Sequence, residues 1–553
     1  MTRPPDRRIH VTAALLALAL LALGFPALDT SNVTWDAALG DLFFGQRYLS
    51  YFTSFDARYL DFAADPYPPG HQPDLTASPF RSRPWEYYPV ANTVGAASSV
   101  LFSRWLGWLD PFDGFQAMNL GFGLLLILVW FPFLARRLGL LAATAGILLL
   151  FTAPRLAGDL LSNPKDYPSM ALFTVALAAF ASAWERGSAG GVVGAGALWG
   201  LALATKANAL FLPLVVVGAI AWGPWPEAWR GRGRTLLLAL VGAGLAGTAV
   251  LVGSWPYLWA DPVGRLGAHL SYLLTREQAM APGSHASALA ALAWTTPLPF
   301  LLAVALGLGP LVRRLRAGDR LARLLVVWIG VVLARLHLPG AVNFDGVRHF
   351  LELFPPLAAV GGLGLAAAAR FARARVPSAR RGRVLAAAVV AVPLLAQAVA
   401  LAAAHPFGTT YWNELVGGLG GAQARGLPQA GDYWGASYRQ GLAWLSAHAE
   451  PGSAVAVPIA EHAVRLVAPV RLRADIDLLP LTSPARPGIP PPLLDRLFAL
   501  AAARPVYVMT VRRDDWDNAL TRFCRDRLVP VAEWRRQGGM VLAIYRLPPA
   551  GGR

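Results

Sequence analysis

Only two lysines, Lys165 and Lys206, occur among the 49 basic side chains of this sequence; the others are arginines. Lys165 stands in Ser162-Asn163-Pro164-Lys165-Asp166-Tyr167-Pro168, directly before an apolar run, and Lys206 in Ala204-Thr205-Lys206-Ala207-Asn208. An ammonium is a compact point charge suited to a phosphate oxygen, whereas a guanidinium is a planar fork. Asp36 closely follows the first apolar run, and Arg348 and His349 open a late one in Val347-Arg348-His349-Phe350-Leu351. A carboxylate, two ammonium groups and a guanidinium at one membrane face suit one reaction in particular. The cations would hold the phosphate of a lipid-linked sugar donor and stabilise the charge that grows on it as it leaves. The carboxylate would take the proton of an acceptor hydroxyl as that oxygen attacks. With the donor carbon between base and leaving phosphate, a single displacement inverts the anomeric centre. Any one charge at the end of a span has a plainer reading, snorkelling to water. Asp36, Lys165, Asp166, Lys206 and Arg348 together read as a site.

The elements that must position these groups are membrane helices. The 553 residues are 55% hydrophobic and 15% charged, with mean hydropathy +0.45, which is not the profile of a soluble globular chain. Apolar runs near the length a bilayer needs predict about eleven spans. They fall at 11–28, 115–135, 138–153, 168–185, 190–205, 207–223, 235–257, 287–312, 321–339, 349–369 and 384–404. Every second loop is rich in arginine: Arg136-Arg137, Arg186, Arg230 to Arg234, Arg313 to Arg320, and Arg370 to Arg383. Short cytoplasmic loops concentrate such residues, so the N-terminus is expected inside and everything after 404 outside. In that frame the first run is a retained span of a multi-pass inner-membrane protein. The net charge of +17 then reports topology rather than a nucleic-acid partner. A lone Cys524 excludes an internal disulfide and a Cys-based zinc site. Neither HExxH nor a phosphate-binding GxxxxGK[ST] loop is present.

Two outward segments are large. The first, 29–114, opens with an amphipathic helical pattern over 34–45. Prolines from Pro66 to Pro84 argue against helix there, and 90–109 reads as an interfacial helix. Asp41, Asp56 and Asp61 read as solvated acids, with Asp56 or Asp61 as alternative bases. Trp85, Glu86, Tyr87, Tyr88, Trp255 and Tyr257 are candidate sugar or acceptor contacts, or equally aromatic anchors at the interface. The second segment, 405–553, alternates short β-rich runs (454–458, 464–472, 506–511, 529–532, 540–545) with helical stretches at 436–448, 492–503 and 515–526. That alternation predicts a small soluble α/β domain.

At these residues the chain resembles the GT-C glycosyltransferases that use phospholipid carriers, the protein mannosyltransferase and aminoarabinose transferase group (glycosyltransferase family 39-like). Trp35-Asp36-Ala37 matches the acidic position after the first span, without the second acid of the family's Asp-Glu pair. Trp85-Glu86-Tyr87-Tyr88-Pro89, Asn163 to Pro168, Thr205-Lys206 and Arg348 to Pro356 are similar to further family stretches. Tyr411 to Gly418 and Asp432-Tyr433-Trp434-Gly435 resemble a segment of bacterial members. The resemblance covers most of 1–445 and implies an all-α polytopic bundle, 1–404, with a large first extracytoplasmic loop and a C-terminal α/β domain, 405–553. It implies a hexosyl- or pentosyltransferase acting on the extracytoplasmic side, with Asp36 as base. Lys165, Lys206 and Arg348 would bind the donor phosphate, supported by Asp166, Asn163 and His349. The partners are a polyprenyl-phosphate sugar, an acceptor that is a lipid, glycan or protein, and the membrane; a divalent cation is left open.

Two other classes compete. A transporter or flippase of lipid-linked sugars would also want phosphate-binding cations, but a large fixed outer loop does not help alternating access. A non-catalytic scaffold would present the C-terminal domain to a partner and make no use of Asp36.

Overall fold

The computed structural model describes residues 7–67, 82–275, 288–338, 341, 344–481 and 491–548. Helices occupy all the apolar runs among the described residues. Seven are long and apolar enough to cross a membrane: Arg7–Thr30, Pro111–Leu138, Asp166–Arg186, Gly233–Ser254, Leu298–Arg316, Arg348–Ala374 and Ala379–Ala404. Together they make the chain an integral membrane protein. An eighth is a pair, Leu140–Phe151 and Pro154–Ser162, bent by 65°. The bend has a local cause. Pro154 disfavours helical backbone in the residue before it, and Ala153 is extended. The helices Ala189–Leu203, Ala207–Ala221 and Arg320–Leu336 are shorter than a full span. The second of these starts as a tight 3₁₀ turn just after Lys206.

Small residues set how closely the helices approach. A side chain on Gly196 would stand 2.2 Å from the carbonyl oxygen of Ala243, so Ala189–Leu203 and Gly233–Ser254 pack nearly backbone to backbone. Gly307 and Gly364 do the same for Leu298–Arg316 and Arg348–Ala374. Burial ranks the spans. The apolar window of Arg348–Ala374 is 94% buried and that of Asp166–Arg186 83%, against 11% for Ala379–Ala404. The two central spans therefore carry Arg348 and Lys165-Asp166 at their N-terminal ends, and the last span presents Val392, Leu395 and Val399 outward.

In the segment 29–114, Ala37–Asp41 is a π-helical turn that leads into Leu42–Ser54. The helix expected over 90–109 is Pro89–Ser99 continued by a π segment, Val100–Trp105. The proline-rich stretch is seen only at its two ends, neither of them α-helical; residues 68–81, with Pro68, Pro69, Pro73 and Pro79, lie outside the described residues, as does residue 287 of the 287–312 run.

After residue 404 the chain forms a five-stranded sheet of order β2-β1-β3-β5-β4. β1 (Ala454–Ala456) is parallel to β2 (Asp477–Leu479) and β3 (Val506–Val511), while β5 (Gly539–Arg546) runs antiparallel to β3 and to β4 (Ala532–Arg536). One expectation is corrected: 464–472 is not a strand but part of the helix Glu461–Arg471. Its β-branched content suggested strand, yet the buried positions Ala463, Val464, Leu466 and Val467 follow helical spacing. The sheet unit is closely docked. Arg471 lies 2.7 Å from Asp110 and 2.6 Å from Asp113, and Arg439 lies 2.9 Å from Asp113.

Candidate functional site

Asn163 builds the first half of the site. Its side-chain oxygen accepts the backbone N–H groups of Lys165 (3.3 Å) and Asp166 (2.8 Å), which caps the start of Asp166–Arg186. Its amide donates to Asp159 (2.8 Å) and to Asp166 Oδ2 (3.0 Å). Asp166 is thereby aimed at two cations from distant parts of the chain: Lys206 Nζ lies 2.5 Å from its Oδ1 and Arg348 Nη1 3.4 Å from its Oδ2.

Asp36 completes the cluster from the segment 29–114. Its Oδ2 is 3.0 Å from both Lys165 Nζ and Arg348 Nη1. Arg348 uses its remaining edge on Asp345, with Nε at 3.1 Å and Nη2 at 2.9 Å, and lies 5.0 Å above the Trp434 ring. Asp345 in turn accepts from Arg513 at 3.2 Å. Asp36, Lys165, Asp166, Lys206 and Arg348, five residues spread over more than three hundred positions, thus form one ion-paired network. Asp36 and Lys165 retain 18% and 20% side-chain exposure, whereas Arg348 and Asp166 retain 3% and 0%. Asp36 and Lys165 are therefore the more accessible edge of the network.

The two lysines differ electrostatically. Burial opposes the charge on Lys165, but Asp36, Asp41 and Asp166 outweigh it and push the ammonium up to about 12. For Lys206 burial wins over Asp166, and its affinity for the proton falls below the usual lysine range.

The other sequence-predicted residues are placed as follows. The His349 carbonyl accepts from Asn208 (2.7 Å) and Arg335 (2.9 Å), beside an Arg335–Glu352 pair at 2.8 Å. Tyr87 is buried and stacked on Phe44, and Trp255 is fully buried against Tyr88, Tyr257 and His269. Trp85, Glu86, Tyr88 and Tyr257 are half-buried; Tyr88 shares a 2.7 Å hydrogen bond with His269. Asp41 is corrected: it is 1% exposed rather than solvated, because Asn92 and Lys165 hold it inside. Asp61 is exposed and Asp56 half-buried.

Sequence reasoning missed Asp345, Arg513, Trp434 and His462 as parts of this wall. The Trp35 N–H donates to the Trp434 carbonyl at 2.9 Å, and the Trp35 carbonyl accepts from His462 at 3.2 Å. The spacing Asp345-x-x-Arg348 was a usable signal for the first of these. Arg513 and His462 carried none, because only the tertiary fold brings residues after 450 to Asp36. Among the described residues, no group of three or more His, Cys, Asp or Glu side chains is placed to hold a metal ion.

A helical membrane bundle with a charged cluster beneath a C-terminal α/β unit defines the fold class, and one solved structure agrees with it. The chain matches the crystal structure of ArnT from Cupriavidus metallidurans bound to undecaprenyl phosphate at 16% identity, with 97% of each chain covered and a TM-score of 0.52. That likeness shows the GT-C fold. The archaeal oligosaccharyltransferase AglB from Archaeoglobus fulgidus, in complex with an inhibitory peptide and a dolichol-phosphate, matches at 13% identity over 90% of this chain and 69% of its own, with a TM-score of 0.43. No family model and no curated protein matches the chain.

Proposed function

We propose that the protein is a membrane glycosyltransferase that moves a sugar from a polyprenyl-phosphate donor to an acceptor hydroxyl. One observation carries this reading: Asp36 Oδ2 sits 3.0 Å from both Lys165 and Arg348, at the exposed edge of the cluster. In that state Asp36 is held by two cations. A donor phosphate that takes over Lys165 and Arg348 loosens their hold on Asp36 and leaves its carboxylate free for the acceptor hydroxyl. The same cations then neutralise the phosphate as it departs. Donor binding and activation of the base are thus linked by shared partners. The fold shared with an undecaprenyl phosphate complex supports the donor class. Asp166 and Asn163 hold the cations in place; Trp85, Glu86, Tyr88 and Tyr257 are the aromatic and acidic groups available to sugar or acceptor. The chemistry is inverting and takes place outside the cytoplasm, with residues 1–404 as the transmembrane unit and 405–553 as an extracytoplasmic unit.

Asp36→Asn tests the reading. Turnover of the purified protein should be lost while undecaprenyl phosphate still binds, and mass spectrometry of envelope glycans from cells carrying that variant should show one missing sugar. Retained turnover removes Asp36 as the base. A reporter fused after residue 553 that is active only in the cytoplasm overturns the proposed orientation.

A further inference from the structure

Asp41 follows Asp36 by five residues, and the backbone from Ala37 to Asp41 is π-helical. On an α-helix, positions three and four apart are neighbours. The i→i+5 hydrogen bonding of a π-helix instead stacks positions five apart, and such segments recur at functional sites. Asp41 therefore turns toward the ammonium that Asp36 holds: Lys165 Nζ is 3.0 Å from Asp36 Oδ2 and 3.7 Å from Asp41 Oδ2. The carboxylates are not equivalent. Asp36 keeps 18% side-chain exposure and Asp41 only 2%, so only Asp36 can meet a substrate. Asp41 Oδ1 accepts from Asn92 at 3.2 Å, and its Oδ2 accepts no hydrogen bond from the described residues. The other ionisable groups facing it are Asp36, Asp166 and Tyr87.

We propose that Asp41 is a pH-sensitive positioning residue: ionised, it shares Lys165 with Asp36 and withholds the ammonium from an incoming phosphate; protonated, it releases it. The consequence for phosphate rests on the donor reading above. Burial pushes the Asp41 carboxyl up to about 6, with Lys165 opposing and Asp36 and Asp166 reinforcing the rise. Its charge therefore changes within the range a cell envelope experiences. Among the described residues Lys165 is the cation paired with it, so the two titrations are coupled.

The test uses the full-length protein in lipid nanodiscs. Infrared difference titration between pH 4 and 8 should show a protonated-carboxyl band with a midpoint near pH 6 that Asp41→Asn removes. Lys165→Ala should move that midpoint upward by about one unit or more, because a neighbouring cation is lost. Undecaprenyl phosphate is the binding probe. Asp41→Asn should bind it about tenfold more tightly than wild type at pH 8, and the two should converge by pH 5. The probe's own titration is common to both proteins and cancels in the ratio. A midpoint at the ordinary carboxyl value, a midpoint unmoved by Lys165→Ala, or an affinity ratio independent of pH overturns the proposal. If no form binds the probe while the Lys165→Ala shift is seen, the donor reading fails and the coupled Asp41–Lys165 pair stands.

Discussion

Lys165 and Lys206 contact different carboxylates, and this sets what each substitution should do. Lys165 bridges Asp36 and Asp41, while Lys206 pairs with Asp166. If both serve the donor phosphate, Lys165→Ala and Lys206→Ala each slow turnover on the order of a hundredfold, about 2–4 kcal/mol of lost charge stabilisation. They also change KM, because ground state and leaving group share the contact. Lysine-to-arginine variants should recover activity only in part, since the wider fork displaces the phosphate. Arg373, exposed in the last helical turn of the span Arg348–Ala374, should be replaceable by alanine with little effect on rate. Steady-state kinetics on the four lysine variants and this control decide the matter; lysine variants that behave like Arg373→Ala place the phosphate elsewhere. His462 supplies a pH prediction at the same scale. Burial lowers its imidazole from the ordinary 6.5 to about 4, so the folded chain keeps it neutral where the unfolded chain takes up a proton. The resulting loss of stability begins as pH falls below 6.5 and is complete below about 4, at roughly 3 kcal/mol. Thermal unfolding measured from pH 8 to 4 should show this drop, and His462→Gln should flatten it.

At the scale of elements, charge and hydropathy made most of the bundle legible. The apolar runs became helices, and the two entered at Lys165-Asp166 and at Arg348 became the central spans. What could not be read was local backbone form. A π turn over Ala37–Asp41 depends on packing against its neighbours, and the pattern over 34–45 indicated helix of any kind. On an α-helix Asp41 would have turned away from the face of Asp36. The strand expected at 464–472 failed for a related reason, since residue type was weighed above spacing. Gly45 shows how the helices of the segment 29–114 hold this geometry. A side chain there would stand 2.3 Å from the Asn92 carbonyl oxygen, so Leu42–Ser54 and Pro89–Ser99 touch at their backbones. Gly45→Ala must push them apart, moving Asn92 away from Asp41, at about 1–3 kcal/mol. Its melting temperature should fall, whereas Gly121→Ala, with open space around it, should be neutral or slightly stabilising. Equal melting temperatures for the two variants would show that the crossing is not tight.

For the whole molecule, the C-terminal unit is a wall of the site as much as a domain. Trp434 and His462 hold the backbone of Trp35, next to Asp36, and Arg513 holds Asp345 against Arg348. This coupling was invisible in the sequence because the groups involved lie up to about four hundred residues apart and follow no motif. Arg471 is where the attachment is most concentrated. Its side chain is 6% exposed, it pairs with Asp110 and Asp113, and its Nη1 donates to Asn32 at 3.1 Å, four residues before Asp36. Arg471→Ala leaves Asp113 buried with only the more exposed Arg439, and breaking a buried pair from one side costs about 3–5 kcal/mol. Arg439→Ala should cost less, since Arg471 remains. The C-terminal unit of the Arg471 variant should therefore become sensitive to protease at lower temperature than wild type. Turnover should fall with it, although Arg471 touches neither Asp36 nor the lysines. A detached, protease-sensitive C-terminal unit with undiminished turnover would show that the bundle alone holds Asp36 in place. Loss of both together would show that the C-terminal unit completes the site.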